Sequence, residues 1–377
     1  MLGLIDQELI VRLGSASISI NGRFLGRRAT GVDRFALEVI RAIDILMTER
    51  CPEVAGMNIE LLIPHGVKSV PPFSSMTVRA VGSFGGQLWE QVDLPRASAR
   101  GTLVLSLCNT APVYWRNQAV VIHDAATAAI PQAFSRGFRW WYRLLMPMLG
   151  WVSRSVLTVS DFSRSELVER FKIAENKIRV VMEGGEHILR VPSDVSAIDR
   201  FGLAERPFVL AVSSMAAHKN FQLVLDAIAK LDDPPFDIAI AGGANSRVFG
   251  TAGLVHSDRI KWLGYVSDEE LRALYEGAMC FVFPSLYEGF GIPPLEAMTC
   301  GCPVLAARAA SIPEVCGNAA VYFDPRDAGE LAAQLMRVAS DADLRAELVN
   351  RGRAQAAKFS WETAARQVLA ACREVAN

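Results

Sequence analysis

The sequence predicts an α/β protein built from two doubly wound domains, each a parallel sheet covered by helices. At 377 residues the chain is too long for one ordinary hydrophobic core. Short apolar runs alternate with helical patterns, and most runs lack the polar–apolar alternation of half-exposed strands. The pattern restarts at Phe208–Val212, after the proline-containing stretch Arg190–Pro207. We therefore divide the chain into domains 1–192 and 193–360, followed by a helix at 361–377.

The elements follow from these runs in chain order. In the first half we predict strands at Ile18–Ile20, Ile59–Ile63, Thr77–Val81, Leu103–Leu107, Ala119–Ile122, Val156–Val159 and Ile178–Met182. Helices are predicted at Val32–Arg50, Phe134–Gly150 and Phe162–Lys172. The second half predicts strands at Phe208–Val212, Asp237–Ala241, Ile260–Leu263, Cys280–Phe283 and Val304–Ala306, with helices at Asn220–Leu231, Asp268–Glu276 and Pro293–Thr299. From Asp327 onward the pattern is almost entirely helical.

Composition and charge exclude several classes of function. The formal net charge of −1 provides no field to hold nucleic acid, so we expect no nucleic-acid partner. Seven irregularly spaced cysteines are typical of reduced thiols in a cytoplasmic protein. No Cys/His set has the spacing of a metal site, and we expect no metal or other cofactor. We also expect neither a signal peptide nor a membrane-spanning segment.

The loop after the predicted strand Cys280–Phe283 has the features of a diphosphate site. Gly289 and Gly291 allow a backbone to approach a ligand closely, and Pro293-Pro294 opens a helix. Free N–H groups at a helix N-terminus favour an anion. Glu296, in the first helical turn, can accept hydrogen bonds from the vicinal hydroxyls of a ribose, and Glu288 can reach a second polyol. The structural alternative is that Glu296 caps its own helix and Glu288 is solvated.

The stretch Phe283–Met298, FPSLYEGFGIPPLEAM, resembles the donor-site signature of the retaining glycosyltransferases of family 4. The resemblance extends along most of the chain. It implies the GT-B fold, in which two Rossmann-like domains face each other across a cleft. It also implies that Glu288 contacts the donor sugar and Glu296 the nucleotide ribose. Backbone groups of Gly289, Phe290 and Gly291 would then meet the phosphates.

A second donor-binding segment follows the strand Phe208–Val212, where the sequence reads SSMAAHKN through Asn220. In the family this turn carries two cations that neutralise the leaving diphosphate. The resemblance assigns one of these positions to Lys219 and places Ser214 in the same donor-binding turn. His218 stands where arginine is usual, and a role as a helix-entry residue without ligand contact is equally consistent with it.

The first domain carries the remaining candidates. The loop 26–34 resembles the family's glycine-containing loop that closes over donor phosphate and acceptor, with Gly31 at the start of a helix. Arg27 and Arg28 face either an anionic acceptor or solvent. His123 and Asp124 end a strand and so point toward a ligand crevice, although a lone histidine is also common as a structural residue.

For these first-domain residues, the resemblance places His123 at the donor sugar near the reacting centre. Asp124, like Arg27 and Arg28, is a candidate for acceptor binding. It also predicts that the final helix, 361–377, packs on the first domain.

These assignments predict a retaining transfer of sugar from a nucleoside diphosphate to a hydroxyl of a glycan or lipid-linked acceptor. His123, Lys219 and Glu288 are the predicted catalytic residues. The overall pattern resembles bacterial polysaccharide enzymes and favours GDP-mannose as the donor. Two alternatives stay open, a sugar-nucleotide 2-epimerase and a partner subunit that binds the nucleotide sugar without turnover. The fingerprint of a dinucleotide-dependent dehydrogenase is missing at Ala241–Asn245.

The segment 136–151 combines arginines with tryptophans and aliphatic residues. Basic and aromatic residues on one helix are typical of helices that lie in a bilayer interface. The alternative is a core helix with a cationic outer face. The predicted location is therefore cytoplasmic, with peripheral contact at the inner face of the membrane left open.

Overall fold

The computed structural model of the protein describes residues 16–27, 30–212, 216–242 and 259–376. They form two compact units, which are described separately below. The first contains the described residues up to Glu183 together with Trp361–Ala376, and the second contains Gly184–Ser360. The boundary lies earlier than the predicted 192. The segment that follows Glu183 packs on the second unit, where Gly185 lies against Leu295.

The first unit is built on a seven-stranded parallel sheet of order β3-β2-β1-β4-β5-β6-β7. Its strands are β1 (Ser17–Asn21), β2 (Asn58–Pro64), β3 (Thr77–Val81), β4 (Leu103–Ser106), β5 (Gln118–Val121), β6 (Ser155–Thr158) and β7 (Ile178–Val180). Every residue of β4, β5 and β6 is buried, as expected for central strands with helices on both faces. The strand order reverses between β1 and β4, where a doubly wound sheet opens a ligand crevice.

Five helices of this unit precede β7: α1 (Gly31–Thr48), α2 (Gly86–Leu88, a π-helical turn Trp89–Asp93, and Leu94–Ala97), α3 (Ala126–Ala129), α4 (Arg136–Val152) and α5 (Asp161–Phe171). A capping box starts α1, because the Asp33 carboxylate accepts from the backbone N–H of Thr30 at 2.9 Å. Ser160 caps α5 by accepting from the backbone N–H of Ser163 at 2.9 Å. The wide π turn in α2 directs the adjacent Trp89 and Glu90 both inward.

The second unit is built on a six-stranded parallel sheet of order β10-β9-β8-β11-β12-β13. Its strands are β8 (Phe208–Val212), β9 (Asp237–Ala241), β10 (Ile260–Gly264), β11 (Cys280–Phe283), β12 (Val304–Ala307) and β13 (Ala320–Phe323). Its helices are α6 (Ser196–Arg200), α7 (Phe221–Ile228), α8 (Asp268–Gly277), α9 (Ile292–Thr299), α10 (Ile312–Cys316), α11 (Ala328–Ser340) and α12 (Ala342–Ala356). The order reverses between β8 and β11, which places the second crevice there.

The last helix, α13 (Trp361–Ala376), belongs to the first unit. The Trp361 ring is fully enclosed and meets Phe35 of α1 edge to face at 6.0 Å between centroids. The Arg373 guanidinium donates to the backbone carbonyl of Glu53 at 2.9 Å. These contacts anchor the end of the chain on the unit in which the described residues begin.

The predicted α/β class with two parallel sheets is confirmed, and each predicted strand matches an observed one within two residues at either end. Five of these strands and helices were not predicted. Four are the helices α2, α3, α6 and α10, of which α2 contains Gly86 and Pro95, and the fifth is β13, a half-buried edge strand without a strong apolar run. All seven cysteines lie among the described residues and are free. Within the described ranges, every helix is too short or too polar to traverse a membrane.

Candidate functional site

The second crevice holds an ion pair between two loops that leave neighbouring strands. Lys219 lies in the 3-10 turn Ala217–Lys219 after β8, and Glu288 lies in the loop after β11. The Lys219 Nζ is 2.8 Å from Oε1 and 3.0 Å from Oε2 of Glu288. The side chains retain 20% and 14% of their exposure, so solvent reaches both. Residues 69 positions apart therefore meet at the point where strand order reverses.

Asn220 fixes the relative position of three loops around this pair. Its side-chain amide donates to the backbone carbonyl of Pro284 at 3.1 Å and to that of Pro325 at 2.8 Å. These loops follow β11 and β13, whereas Asn220 itself follows β8. The residue has φ of +59°, a left-handed conformation that asparagine tolerates better than most residues. The backbone N–H of Leu286 also donates to the carbonyl of His218 at 2.8 Å.

The glycine-containing loop after Glu288 is hydrogen-bonded through its backbone to a buried serine. The Ser311 hydroxyl lies 2.9 Å from the carbonyl oxygen of Glu288 and 2.7 Å from that of Phe290. The Phe290 ring is buried and meets Phe359 edge to face. Gly291 has φ of +116°, which a side chain at this position would rarely adopt, and α9 begins directly after it. The loop is thus preformed at a helix N-terminus.

Glu296 lies one turn into α9 and is held by two buried partners. Its Oε1 is 2.8 Å from Nε2 of His187, and its Oε2 accepts from the Tyr275 hydroxyl at 3.1 Å. Burial, followed by the neighbouring Glu296 carboxylate, raises the pKa of Tyr275 well above its usual value, so the hydroxyl stays a donor. The carboxylate is only 8% exposed. A carboxylate has about four acceptor positions, so its capacity is not limited to these two contacts.

This arrangement suits a ligand that is anionic at one end and rich in hydroxyls at the other. An ammonium has three N–H donors, and Lys219 directs two of them toward Glu288, which leaves one for a phosphate oxygen. The Glu288 carboxylate keeps acceptor capacity for sugar hydroxyls. Among the described residues, no three His, Cys, Asp or Glu side chains lie close enough together to hold a metal ion.

In the first unit, His123 follows β5 and is almost fully buried. Its Nε2 lies 3.0 Å from the carbonyl oxygen of Leu107, and its Nδ1 lies 3.4 Å from Oε1 of Glu183. The Phe35 ring packs edge-on at 4.8 Å between centroids. The His123 backbone N–H donates to Asn109 Oδ1 at 2.8 Å. Both ring nitrogens face acceptors, so the orientation of the imidazole is fixed by the protein.

The crevice between β1 and β4 contains another cation–glutamate pair. Arg23 Nη2 is 3.0 Å from Oε2 of Glu90, which is fully enclosed. The Asn21 amide and the Thr110 hydroxyl each donate to Oε1 of Glu90 at 2.9 Å. Burial raises the pKa of Glu90 despite the opposing effect of Arg23. This network joins β1, α2 and the loop after β4 into one polar core.

The other predicted residues of this unit have local partners. Arg27 Nε donates to Asp33 Oδ1 at 2.9 Å, so its guanidinium is tied to the start of α1. Gly31 is exposed at that start, and no atom lies within 4 Å of where a Cβ would be. Asp124 Oδ1 accepts from the backbone N–H of Ala126 at 2.7 Å. Arg28 and Ser214 lie outside the described residues.

Several residues around the two crevices were not singled out by sequence reasoning. Asn220 and Ser311 shape the loops, His187 and Tyr275 hold Glu296, and Glu183 faces His123. Asn220 carried a signal, since an asparagine at the start of a predicted helix indicates a cap or a left-handed turn. The others carried none, because only tertiary packing brings them to their partners.

Comparison with known proteins finds a family match within the second unit. Residues 197–355 match the family described as Glycosyl transferases group 1. This range contains Lys219, Glu288 and Glu296, so the ion pair and the helix that follows it lie within the matched range.

Curated relatives extend the similarity. Over 227 residues the chain is 34% identical to O-antigen chain mannosyltransferase B of Escherichia coli, covering 58% of this chain and 60% of that protein. It is 26% identical to O-antigen chain mannosyltransferase RfbU of Salmonella typhimurium, covering 82% and 87%. The mannosyltransferase WbdA of Escherichia coli is 29% identical, with 28% of its length covered. The chain therefore spans less than two thirds of the length of two of these three relatives.

Solved structures show the same fold over nearly the whole chain. Sucrose-phosphate synthase from Thermosynechococcus elongatus superposes with a TM-score of 0.71 at 19% identity, covering 94% of this chain and 97% of that one. Anabaena HepE in complex with UDP-glucose gives 0.69 at 17% identity, covering 94% and 98%. WaaG, a glycosyltransferase involved in lipopolysaccharide biosynthesis, gives 0.68 at 13% identity, covering 94% and 98%. The fold is GT-B, as the sequence predicts.

Proposed function

We propose that the protein is a retaining glycosyltransferase of family 4. It transfers mannose from GDP-mannose to a hydroxyl of a glycan or lipid-linked acceptor in polysaccharide biosynthesis. One observation carries the proposal: the Lys219–Glu288 pair lies at the strand-order reversal of a unit that matches Glycosyl transferases group 1. The mannosyl donor is supported by the names of the O-antigen relatives. The retaining outcome is supported by the resemblance of Phe283–Met298 to the family 4 signature.

In this proposal, different residues of the second crevice contact different parts of the donor. The bond between the anomeric carbon and the diphosphate oxygen breaks, and negative charge develops on the phosphates. Lys219 and the backbone amides at Gly289–Gly291 stabilise this charge as preorganised donors, aided by the N-terminus of α9. Glu288 accepts hydrogen bonds from the sugar, and Glu296 accepts them from the ribose. In this proposal Ser214 and His218 belong to the same donor-binding turn.

The acceptor contributes the second half of the reaction. Its hydroxyl oxygen forms the new bond to the anomeric carbon on the face from which the diphosphate leaves, and its proton passes to the departing phosphate oxygen. His123 contacts the sugar near the reacting carbon, and Gly31, Arg27, Arg28 and Asp124 belong to the loops that take phosphate and acceptor. No metal or cofactor is part of this route, and the reaction is assigned to the cytoplasm.

The donor can be identified by ligand-induced stabilisation. Thermal unfolding is measured with GDP-mannose and with matched UDP, ADP and TDP sugars, because a ligand of the folded state raises its apparent stability by mass action. We expect the largest shift with GDP-mannose, and EDTA should not alter it. A larger shift with another nucleotide sugar would reassign the donor and leave the transferase proposal intact.

Product analysis with and without acceptor separates the candidate activities. We expect a glycosylated acceptor whose new linkage keeps the donor's anomeric configuration, determined by nuclear magnetic resonance. An altered nucleotide sugar formed without acceptor would indicate the 2-epimerase instead. Binding of a nucleotide sugar without turnover across a panel of glycan and lipid-linked acceptors would favour the non-catalytic partner subunit.

A further inference from the structure

Most residues of the helix α4 are exposed to solvent or only partly buried. Of its 17 residues, only Leu145, Met146, Leu149 and Gly150 are buried. Large apolar side chains are exposed along it, Trp140 to 65%, Trp141 to 44% and Trp151 to 72%. Trp140, Leu144, Met148 and Trp151 follow one another at intervals of four, four and three residues, which places them on one face of a helix. The helix therefore buries one narrow stripe and also presents large apolar side chains to solvent.

The same outer surface is strongly basic. Arg136, Arg139 and Arg143 are exposed and lie at i, i+3 and i+7, and none has an ion-pair partner among the described residues. The sequence from Ala125 to Ser160 contains no aspartate or glutamate. This stretch therefore carries a positive charge that its own residues do not neutralise.

A groove beside α4 gathers further cations. It has a volume of about 990 Å³ and lies between α4 and the C-terminal end of α5. Five basic side chains line it, namely Arg136, Arg139, Arg143, Arg170 and Lys172, against one acid, Glu169. Arg170 also pairs with Glu166. Trp140 lines the same groove, so an aromatic ring and several cations are presented together.

We propose that this outer face of α4, with the adjoining groove, is a docking surface for an anionic lipid bilayer. Tryptophans prefer the headgroup level of a bilayer, where an apolar ring and a polar N–H are both accommodated. Guanidinium groups form charge-assisted hydrogen bonds with lipid phosphates, and a row of them is attracted to an anionic leaflet. Apolar insertion and phosphate binding come from one helix, as in helices that lie in the interface plane.

A second copy of the chain fits this surface less well. A two-fold interface would set the same patch against itself, so Arg136, Arg139 and Arg143 would face their own counterparts. Like charges held together in an interface are strongly unfavourable. The acid-free stretch around α4 offers no compensating carboxylates. A bilayer rich in phosphates supplies the missing negative charge.

Vesicle sedimentation with the full chain tests the proposal and does not depend on any donor or acceptor. Vesicles of phosphatidylcholine that contain about one third phosphatidylglycerol are compared with pure phosphatidylcholine vesicles. We expect binding to the anionic vesicles that is at least tenfold stronger and that weakens as salt rises to about 0.15 M. Absence of binding to anionic vesicles at low salt would overturn the proposal.

Two sets of variants locate the contact. R136Q/R139Q/R143Q should weaken binding to anionic vesicles by at least tenfold, and W140S/W141S should weaken it to a similar extent. The matched controls are R96Q/R100Q/R337Q, which removes the same charge from other exposed positions, and F84S/L88S, which removes exposed apolar groups elsewhere. Both controls should bind like the wild type. Circular dichroism and thermal unfolding verify that all four variants are folded.

The remaining outcomes are decisive as well. If the controls and the α4 variants lose vesicle binding equally, binding depends only on the overall charge or apolar content of the protein. The proposal would then fail. Light scattering gives the oligomeric state of each variant. If the wild type self-associates, ignores vesicles, and becomes monomeric in W140S/W141S, the surface is covered by a second copy instead.

Discussion

The two units share one strand order but use the reversal point differently. Each places a cation–glutamate pair there, Arg23 with Glu90 in the first unit and Lys219 with Glu288 in the second. Glu90 is fully enclosed and has donors from two further side chains. Glu288 keeps 14% of its exposure, and Lys219 has an N–H left for a ligand. We infer that the first pair holds the unit together and the second is available to substrate.

Burial accounts for this difference. The π turn of α2 brings Glu90 beneath the loops of the first crevice, where it loses solvent, and the pKa of its carboxyl rises. In the second crevice the short turn after β8 and the loop after β11 carry charges that are only partly buried. Neutral contacts by Asn220 and Ser311 fix those loops, so the charged pair is not needed to hold them.

The strongest test removes each glutamate in turn and measures stability by urea unfolding. Glu90→Ala should cost about 4 kcal/mol, because it leaves two buried donors, Asn21 and Thr110, and the half-buried Arg23 without their acceptor. Glu288→Ala should cost about 1 kcal/mol or less, since water can solvate Lys219. Comparable losses for the two variants would mean that the crevices do not differ in this way.

Asn220 should matter to the second unit through its hydrogen bonds and its backbone. Asn220→Gly keeps the left-handed conformation and removes two hydrogen bonds, at a cost of about 2 kcal/mol. Asn220→Ala removes the same bonds and adds about 1 kcal/mol of backbone strain. Urea unfolding of both variants separates the two contributions. If glycine proved as costly as alanine, the positive φ would not contribute.

Substitutions in the charged pair should affect transfer more than folding. Lys219→Ala and Glu288→Gln should each lower the rate of sugar transfer at least tenfold, about 1.4 kcal/mol in barrier height. Initial rates are compared with those of Lys230→Ala and Glu205→Gln, which change exposed residues of the same unit. Wild-type rates in the Lys219 and Glu288 variants would contradict the assignment of this pair to the substrate.

The smallest effect concerns pH. The raised pKa of Glu90 means that the folded state keeps its proton to higher pH than the unfolded chain does. The protonated Glu90 therefore contributes fully to stability below about pH 4.3, which is the pKa of a glutamate in the unfolded chain. This contribution is lost as the pH rises through the higher pKa that Glu90 has in the folded state. The stability of the wild type minus that of Glu90→Gln should fall across this window in urea titrations. A flat difference would show that Glu90 does not titrate differently on folding.

The sequence was most informative where function depends on local chemistry. The loop 288–291, the start of α9 and the strands β8 and β11 followed from apolar runs, glycines and prolines within a short stretch. The sequence was least informative for residues whose contacts lie far away along the chain. Neither the contact of His187 with Glu296 nor that of Glu183 with His123 could be predicted, because no local pattern encodes a partner so remote in the chain.

The sequence by itself determined the α/β class and the order of most strands and helices along the chain. It also determined that Lys219 and Glu288 lie in loops at the ends of strands. These depend on hydrophobic periodicity and turn chemistry, which act over a few residues. Only the tertiary structure decided that Glu90 is enclosed while Glu288 meets solvent, and that the tryptophans of α4 point outward. Burial and electrostatic environment are set by packing between distant segments, so they exist only once the chain has folded.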